Sequence, residues 1–327
     1  MPTFLQETLA GSTQTLPAMG TWPATAHVFE AESVYAINAA LAAQRPLLVR
    51  GEPGTGKSQL ARAAAHQLQR AFIAEVVHAR SESQDLQWRF DAVGRLSVAQ
   101  TLTGLTDTER QVKLAPVNFL SPGPLWWAFD PKSANDQYQC CQYNQRKPVG
   151  EATHGSVLLI DEIDKADADL PNGLLETLGN GQFCVPHRQD EIGLTCALPP
   201  LVIITTNEER ELPSAFVRRC MVLHLALPTE QQALLEWLQT KGHAHFGAQC
   251  CAAVFAQAAE LLVADREAAA KHGVTPPGQA EYLDMLRAVV AMTTDTQDDP
   301  AREQQQIDIL TKVSPFALKK FSGLSGL

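Results

Sequence analysis

No run of eighteen or more apolar residues occurs in the sequence, so nothing has the length that a helix needs to cross a lipid core. The N-terminus, MPTFLQETLAGSTQTLPAMG, lacks a basic segment followed by an apolar stretch, does not read as a secretion signal, and makes the cytoplasm the expected compartment. Seven cysteines occur, among them the adjacent pairs Cys140-Cys141 and Cys250-Cys251 with Cys184, Cys196 and Cys220 between, yet no CxxC or Cys/His spacing suits a metal. They read as reduced thiols. An excess of positive charge is missing too. The net charge of -10 works against tight, nonspecific binding to a phosphate backbone, which needs clustered Lys and Arg, and favours a protein or small-molecule partner over nucleic acid. No internal repeat of fixed period is present.

With 45% hydrophobic and 19% charged residues, the 327-residue chain can bury one large core and a smaller second one. Residues 1–28 are rich in Thr, Ala, Pro and Gly without clear periodicity and read as an arm or flexible lead-in, with order expected from Phe29. Val34, Ile37 and Leu41 recur at helical spacing and lead to a strand over Pro46–Arg50, which ends at the loop GEPGTGKS. A helix with an apolar stripe at Leu60, Ala64 and Leu68 follows, then the strand FIAEVVHA. This alternation predicts an α/β fold with a parallel sheet flanked by helices.

From Ser81 to Gly155 the pattern is less regular, as insertions on such a core would be. It returns in SVLLID, where Val157 to Ile160 fit a strand buried on both faces, and in PLVIITTN. Between these, ADLPNGLLETLGNGQF gives a short helix ended by Gly179 or Gly181. Beyond LALPTEQQ the pattern is helical only, broken at Gly273 and at Pro276-Pro277. The expected organisation is an arm over 1–28, an α/β core over 29–227, and a smaller all-α lid with a C-terminal tail over 228–327. The tail is expected to dock on the lid, and His243 and His245, two residues apart, to be exposed.

Gly51-Glu52-Pro53-Gly54-Thr55-Gly56-Lys57-Ser58 satisfies GxxxxGK[ST], follows an expected strand and opens an expected helix. In such a P-loop the glycines let backbone N–H groups turn inward around phosphates and the helix N-terminus adds partial positive charge. Lys57 adds a full charge near the β and γ oxygens, and the Ser58 hydroxyl can ligate Mg²⁺. The bland alternative is a chance Gly-rich strand-to-helix turn. At the end of the next buried strand, Asp161 would hold magnesium through water and Glu162 could polarise an attacking water. Asp164, Lys165, Asp167 and Asp169 read as a solvated helix start rather than a second metal site. Asn207 ends the strand after that; its amide can hydrogen-bond the water or the γ-phosphate, or simply turn the chain, and the two readings are compatible.

Taken together, the motifs resemble AAA+ ATPases, specifically the MoxR-like group and its dynein-related relatives, over roughly Phe29 to Ala291. By that resemblance GEPGTGKS is Walker A, LLIDEID is Walker B with its catalytic glutamate, and ITTNEERELPSAFVRRC is the sensor-1 strand running into an arginine-finger helix. The resemblance implies P-loop NTPase chemistry on ATP with Mg²⁺, in a homo-oligomeric ring, usually hexameric, in which an arginine completes a neighbour's site. Arg219 is the first choice and Arg218 the second; the alternative is that one of them pairs locally with Glu208, Glu209 or Glu211. It also implies a helix-2 insertion between Asp85 and Gly123 and a hairpin within FCVPHRQDEIGLTCALPP, at about 182–200. Trp126 and Trp127 could form a contact surface or pack inside. One departure stands out: Val274 to Glu281, where the lid of this group usually carries an arginine that senses the γ-phosphate, contains none.

The expected function is ATP-driven remodelling or activation of a protein partner, which in MoxR-like systems commonly bears a von Willebrand factor A domain. A nucleotide-gated assembly switch with slow hydrolysis is the main alternative. A motor on DNA is disfavoured by charge, and a small-molecule kinase by the second arginine-bearing subunit implied here.

Overall fold

The computed structural model describes residues 3–102, 104, 106–141, 147, 155–186, 188, 191–195, 198–294 and 299–318. The chain divides into two compact units. The first comprises Met1–Glu7, Glu32–Arg50 and Ala61–Leu223; the second comprises Thr8–Ala31, Gly51–Leu60 and His224–Leu327.

In the first unit a five-stranded sheet has the order β11 (Met221–His224), β3 (Leu47–Arg50), β10 (Leu201–Thr206), β7 (Ser156–Asp161), β4 (Ala71–Val76). β10 lies parallel to both β3 and β7, and β7 parallel to β4. The central strands are apolar throughout because helices cover both faces: Leu47 to Val49, Val157 to Ile160 and Leu201 to Ile204 are all buried. Flanking the sheet are α1 (Ala31–Ala43), α2 (Lys57–Leu68) and α8 (Asp169–Asn180). α8 stops at Gly181, whose φ of 64° is the left-handed cap conformation that suits glycine.

Between β4 and β7 the chain forms α3 (Ser83–Gln87), β5 (Trp88–Phe90), α4 (Ala92–Thr101), α5 (Asp107–Lys113), β6 (Leu120–Pro122), α6 (Pro124–Phe129) and α7 (Pro131–Cys140). β5 and β6 pair antiparallel, Trp88 opposite Pro122, and α4 and α5 span the excursion between them. Trp126 and Trp127 are buried in the core around β7, so packing is their use. β8 (Gln182–Cys184) and β9 (Glu191–Gly193) form a second antiparallel hairpin, with Phe183 opposite Ile192. Cys196 and most of the polar stretch from 142 to 154 lie outside the described residues. α9 (Ser214–Val217) precedes β11.

The second unit contains α10 (Gln231–Phe246), α11 (Ala252–His272), α12 (Gln279–Met292) and α13 (Asp299–Ala317), packed around Phe255, Leu262, Tyr282, Leu286 and Leu310. Leu318 is buried in the same cluster, so the tail docks there as far as it is described; 319–327 lie beyond.

The residues expected to form a lead-in are a correction. β1 (Thr13–Leu16) and β2 (Thr25–Val28) pair antiparallel, Thr13 with Val28 and Leu16 with Thr25, and Leu16 is fully buried. The hairpin is held to α10 by Lys241 Nζ, which donates to Val28 O and Glu30 Oε1 at 3.3 Å each, and by Trp237 Nε1, which donates to Glu30 Oε1 at 3.0 Å. His245, expected at the surface, is half-buried and its Nδ1 lies 3.4 Å from Thr25 Oγ1; only His243 is exposed.

Candidate functional site

The phosphate loop begins where β3 ends. Gly54 (φ 78°) and Gly56 (φ 91°) adopt backbone conformations that side-chain-bearing residues avoid, which is what a loop turning its N–H groups inward requires. A Cβ at Gly51 would collide with the carbonyl oxygen of Leu225. Thr55 Oγ1 donates to Glu52 O at 2.9 Å, closing the loop on itself. Lys57 is the first residue of α2, is buried, and donates to Gly51 O and Glu52 O, both at 2.8 Å. Its ammonium is thereby held at the loop, with two of its three N–H donors on loop carbonyl oxygens. Ser58 follows in the first helical turn.

The start of α12 lies directly against this loop. A Cβ at Gly54 would come 3.0 Å from Ala280 Cβ, and one at Gly278 would come 2.9 Å from Pro53 O. The turn is closed by Gly278 N donating to Glu281 Oε2 at 2.9 Å. Small residues therefore stand where an arginine was expected, because helix and loop backbones approach closely. Arg287 offers no substitute, being exposed and paired with Asp284. The residue that does reach the loop is Arg266 of α11, which pairs with Glu52 at 3.1 Å and gave no signal in the sequence.

In the first unit, parallel register brings three strand ends to one edge of the sheet: Ile160 is opposite Ile204, and Thr206 opposite Arg50. Open parallel sheets bind ligands outside such carboxyl ends. Asp161 closes β7, and Glu162 follows with φ 59° and ψ 49°, a left-handed conformation rare for a residue with a side chain. Thr205 holds both acids. Its Oγ1 donates to Asp161 Oδ1 at 2.5 Å and accepts from Glu162 N at 2.9 Å. Asn207, one residue beyond β10, donates from Nδ2 to Glu162 Oε1 at 3.2 Å, so Asp161, Glu162 and Asn207 are brought together.

Asp164 corrects the reading of the acidic run as solvated. It is 1% exposed and accepts from the backbone N–H groups of Asn207 at 3.3 Å and Glu209 at 3.0 Å, pinning the turn after β10. Thr205 and Asp164 thus complete the geometry, and neither sequence position announced it.

Arg218 and Arg219 are both exposed, between α9 and the buried Cys220, whose thiol is pushed up to about 11 by burial and is no nucleophile at neutral pH. Glu208 pairs with Arg50 at 3.3 Å and Glu209 with Lys165 at 2.5 Å; neither Arg218 nor Arg219 forms an ion pair among the described residues. Arg218 lines a cavity of about 530 Å³ together with Arg50, Thr206, Glu208, Arg210 and Glu211. Among the described residues no cluster of three or more His, Cys, Asp or Glu suits a metal, and no helix is long and apolar enough to cross a membrane.

No curated protein matches the chain. Among solved structures it is similar to a mutant form of RuvB from Thermotoga maritima, at 16% identity over 86% of this chain and 68% of that one, with a TM-score of 0.45. The same organism's RuvB Holliday junction branch migration motor is similar at 16% identity, over 86% of this chain and 67% of that one, with a TM-score of 0.44. The model of the AAA domain, dynein-related subfamily, matches residues 46–220, from the strand before the phosphate loop to the cysteine after the paired arginines and more than half of the 327 residues. This chain therefore belongs to the AAA domain family, dynein-related subfamily.

Proposed function

We propose that the chain is an ATP-hydrolysing ring ATPase of the MoxR-like group, remodelling or activating a protein partner in the cytoplasm. One contact carries the catalytic part of this reading: the Asn207 amide on the Glu162 carboxylate, at the ends of adjacent parallel strands. A carboxylate oriented by a neutral amide can accept a hydrogen bond from water while its second oxygen stays available. The backbone of Gly51 to Ser58 and the Lys57 ammonium suit a triphosphate, the lysine exchanging loop carbonyls for phosphate oxygens. Ser58 and Asp161 are the residues that would hold Mg²⁺. One hydroxyl and one carboxylate fit an ion that keeps its waters and takes substrate phosphates as further ligands, and when bound it would neutralise charge on the β and γ oxygens.

Arg219, with Arg218 as the second candidate, would reach the γ-phosphate of the neighbouring subunit in a homo-oligomeric, hexameric ring. The support is that both guanidiniums are exposed and without an internal acid among the described residues. The acidic chain, at a net charge of -10, favours a protein partner, with one bearing a von Willebrand factor A domain the candidate. Co-purification with such a partner and stimulation of ATP turnover by it is the expected result; a partner without effect on turnover contradicts remodelling.

A second reading, a nucleotide-gated assembly switch with slow hydrolysis, is favoured by Ala280 standing against Gly54 where a charge-sensing side chain was expected. Glu162→Gln separates the two. If the ATP-trapped variant supports full activation of the partner, turnover is dispensable and the switch reading holds.

A further inference from the structure

Glu52 places a carboxylate on a loop read here as gripping a triphosphate, which is the wrong sign for that task. Arg266 answers it from α11. Its Nη2 pairs with Glu52 Oε2 at 3.1 Å while its Nη1 donates to Pro277 O at 2.6 Å, in the turn just before α12. The arginine side chain is only 17% exposed, against 47% for Glu52, so the guanidinium is the fixed partner and the carboxylate the one drawn to it. Because the guanidinium is a planar fork, it can engage both acceptors at once, which a lysine ammonium on a flexible stem does less well.

We propose that Arg266 is a positioning residue for the nucleotide: acting through Glu52, it neutralises the loop's own negative charge and turns that carboxylate away from the phosphates. The inference rests on the reading of Gly51 to Ser58 as a triphosphate cradle. Its consequence is specific to phosphate charge. Freeing Glu52 sets an unpaired carboxylate against a polyanion, so affinity falls most for ATP, less for ADP and least for AMP. A purely structural role for Arg266 weakens all three alike, and its loss cannot be repaired by removing Glu52.

The test is fluorescence titration of the full-length wild type, Arg266→Ala, Arg266→Lys, Glu52→Gln and the Arg266→Ala/Glu52→Gln double variant with fluorescent analogues of the three nucleotides and Mg²⁺. Arg266→Ala is expected to weaken ATP-analogue binding by about fivefold, the scale of one charge interaction at a partly exposed site, with a smaller loss for AMP. Arg266→Lys is expected to lose less than the alanine variant, and the double variant to recover to within about twofold of wild type, since the offending charge is gone. Equal loss for all three nucleotides, or no recovery in the double variant, overturns the proposal while leaving the cradle intact. Should Arg266→Ala fail to fold, the lysine variant decides: unchanged affinity together with no gain from adding Glu52→Gln overturns it, and a loss relieved by Glu52→Gln supports it. Failure of the wild type to bind any nucleotide is a separate outcome that removes the cradle itself, and with it this inference.

Discussion

Glu162 occupies a backbone conformation that costs a residue with a Cβ roughly 1–3 kcal/mol, and it stays there because the neighbouring strand holds it at both ends. Thr205 takes its N–H and Asn207 its carboxylate. Glu162→Gln keeps the shape and removes the carboxylate proposed as the base; ATP turnover is expected to drop by about 10²–10⁴-fold with nucleotide affinity retained, read by steady-state hydrolysis beside binding titration. Thr205→Val removes one hydroxyl that serves two partners. It removes, from a fully buried side chain, the hydroxyl that donates to Asp161 and accepts from the Glu162 N–H, so a loss of about 1–3 kcal/mol in denaturant unfolding is expected along with slower turnover. These two residues also mark the limit of what a sequence conveys. Asp161, Glu162 and Asn207 can be named because each ends an apolar run, whereas Thr205 lies inside one and looks like an ordinary strand residue. Asp164 sits in an acidic run that resembles a solvated helix start, and only the fold shows it 1% exposed and accepting two backbone N–H groups.

At the scale of elements, β3, β7 and β10 were legible because strands buried on both faces must be continuously apolar. The β1–β2 hairpin was not: its strands are four residues each, mostly polar, and draw their order from α10 rather than from their own pattern. That packing has a titration consequence. Burial lowers the His27 ring from 6.5 to about 3, with Lys241 and then His245 adding repulsion, and burial lowers His245 from 6.5 to about 4, with Arg287 and Lys241 adding to it. In the folded chain His245 stays neutral down to about 4 and His27 down to about 3, while the unfolded chain takes up protons from 6.5. Stability is therefore full above 6.5 and is lost as pH falls from 6.5 towards 4 through both rings and on towards 3 through His27. A lower melting temperature at pH 5 than at pH 7 is expected, with the difference reduced in His27→Leu; an equal difference in that variant would remove His27 as a cause. α12 offers the complementary case. The sequence showed that Val274 to Glu281 has no arginine, but not why: Ala280 and Gly278 abut Gly54 and Pro53.

For the whole molecule, the proposed chemistry needs two copies, one supplying the phosphate loop with Asp161 and Glu162, the other an exposed arginine. Turnover per chain is accordingly expected to fall on dilution, measured across protein concentration beside light scattering for assembly. The most direct measurement mixes two variants that should each be inactive: Arg219→Ala, with an intact site and no arginine to give, and Glu162→Gln, with an arginine and no base. ATP hydrolysis by the mixture is expected to exceed the sum of the separate rates, because intact sites then receive an arginine from the neighbouring chain. Turnover that stays at that sum, while both variants assemble together, would contradict an arginine supplied in trans by Arg219.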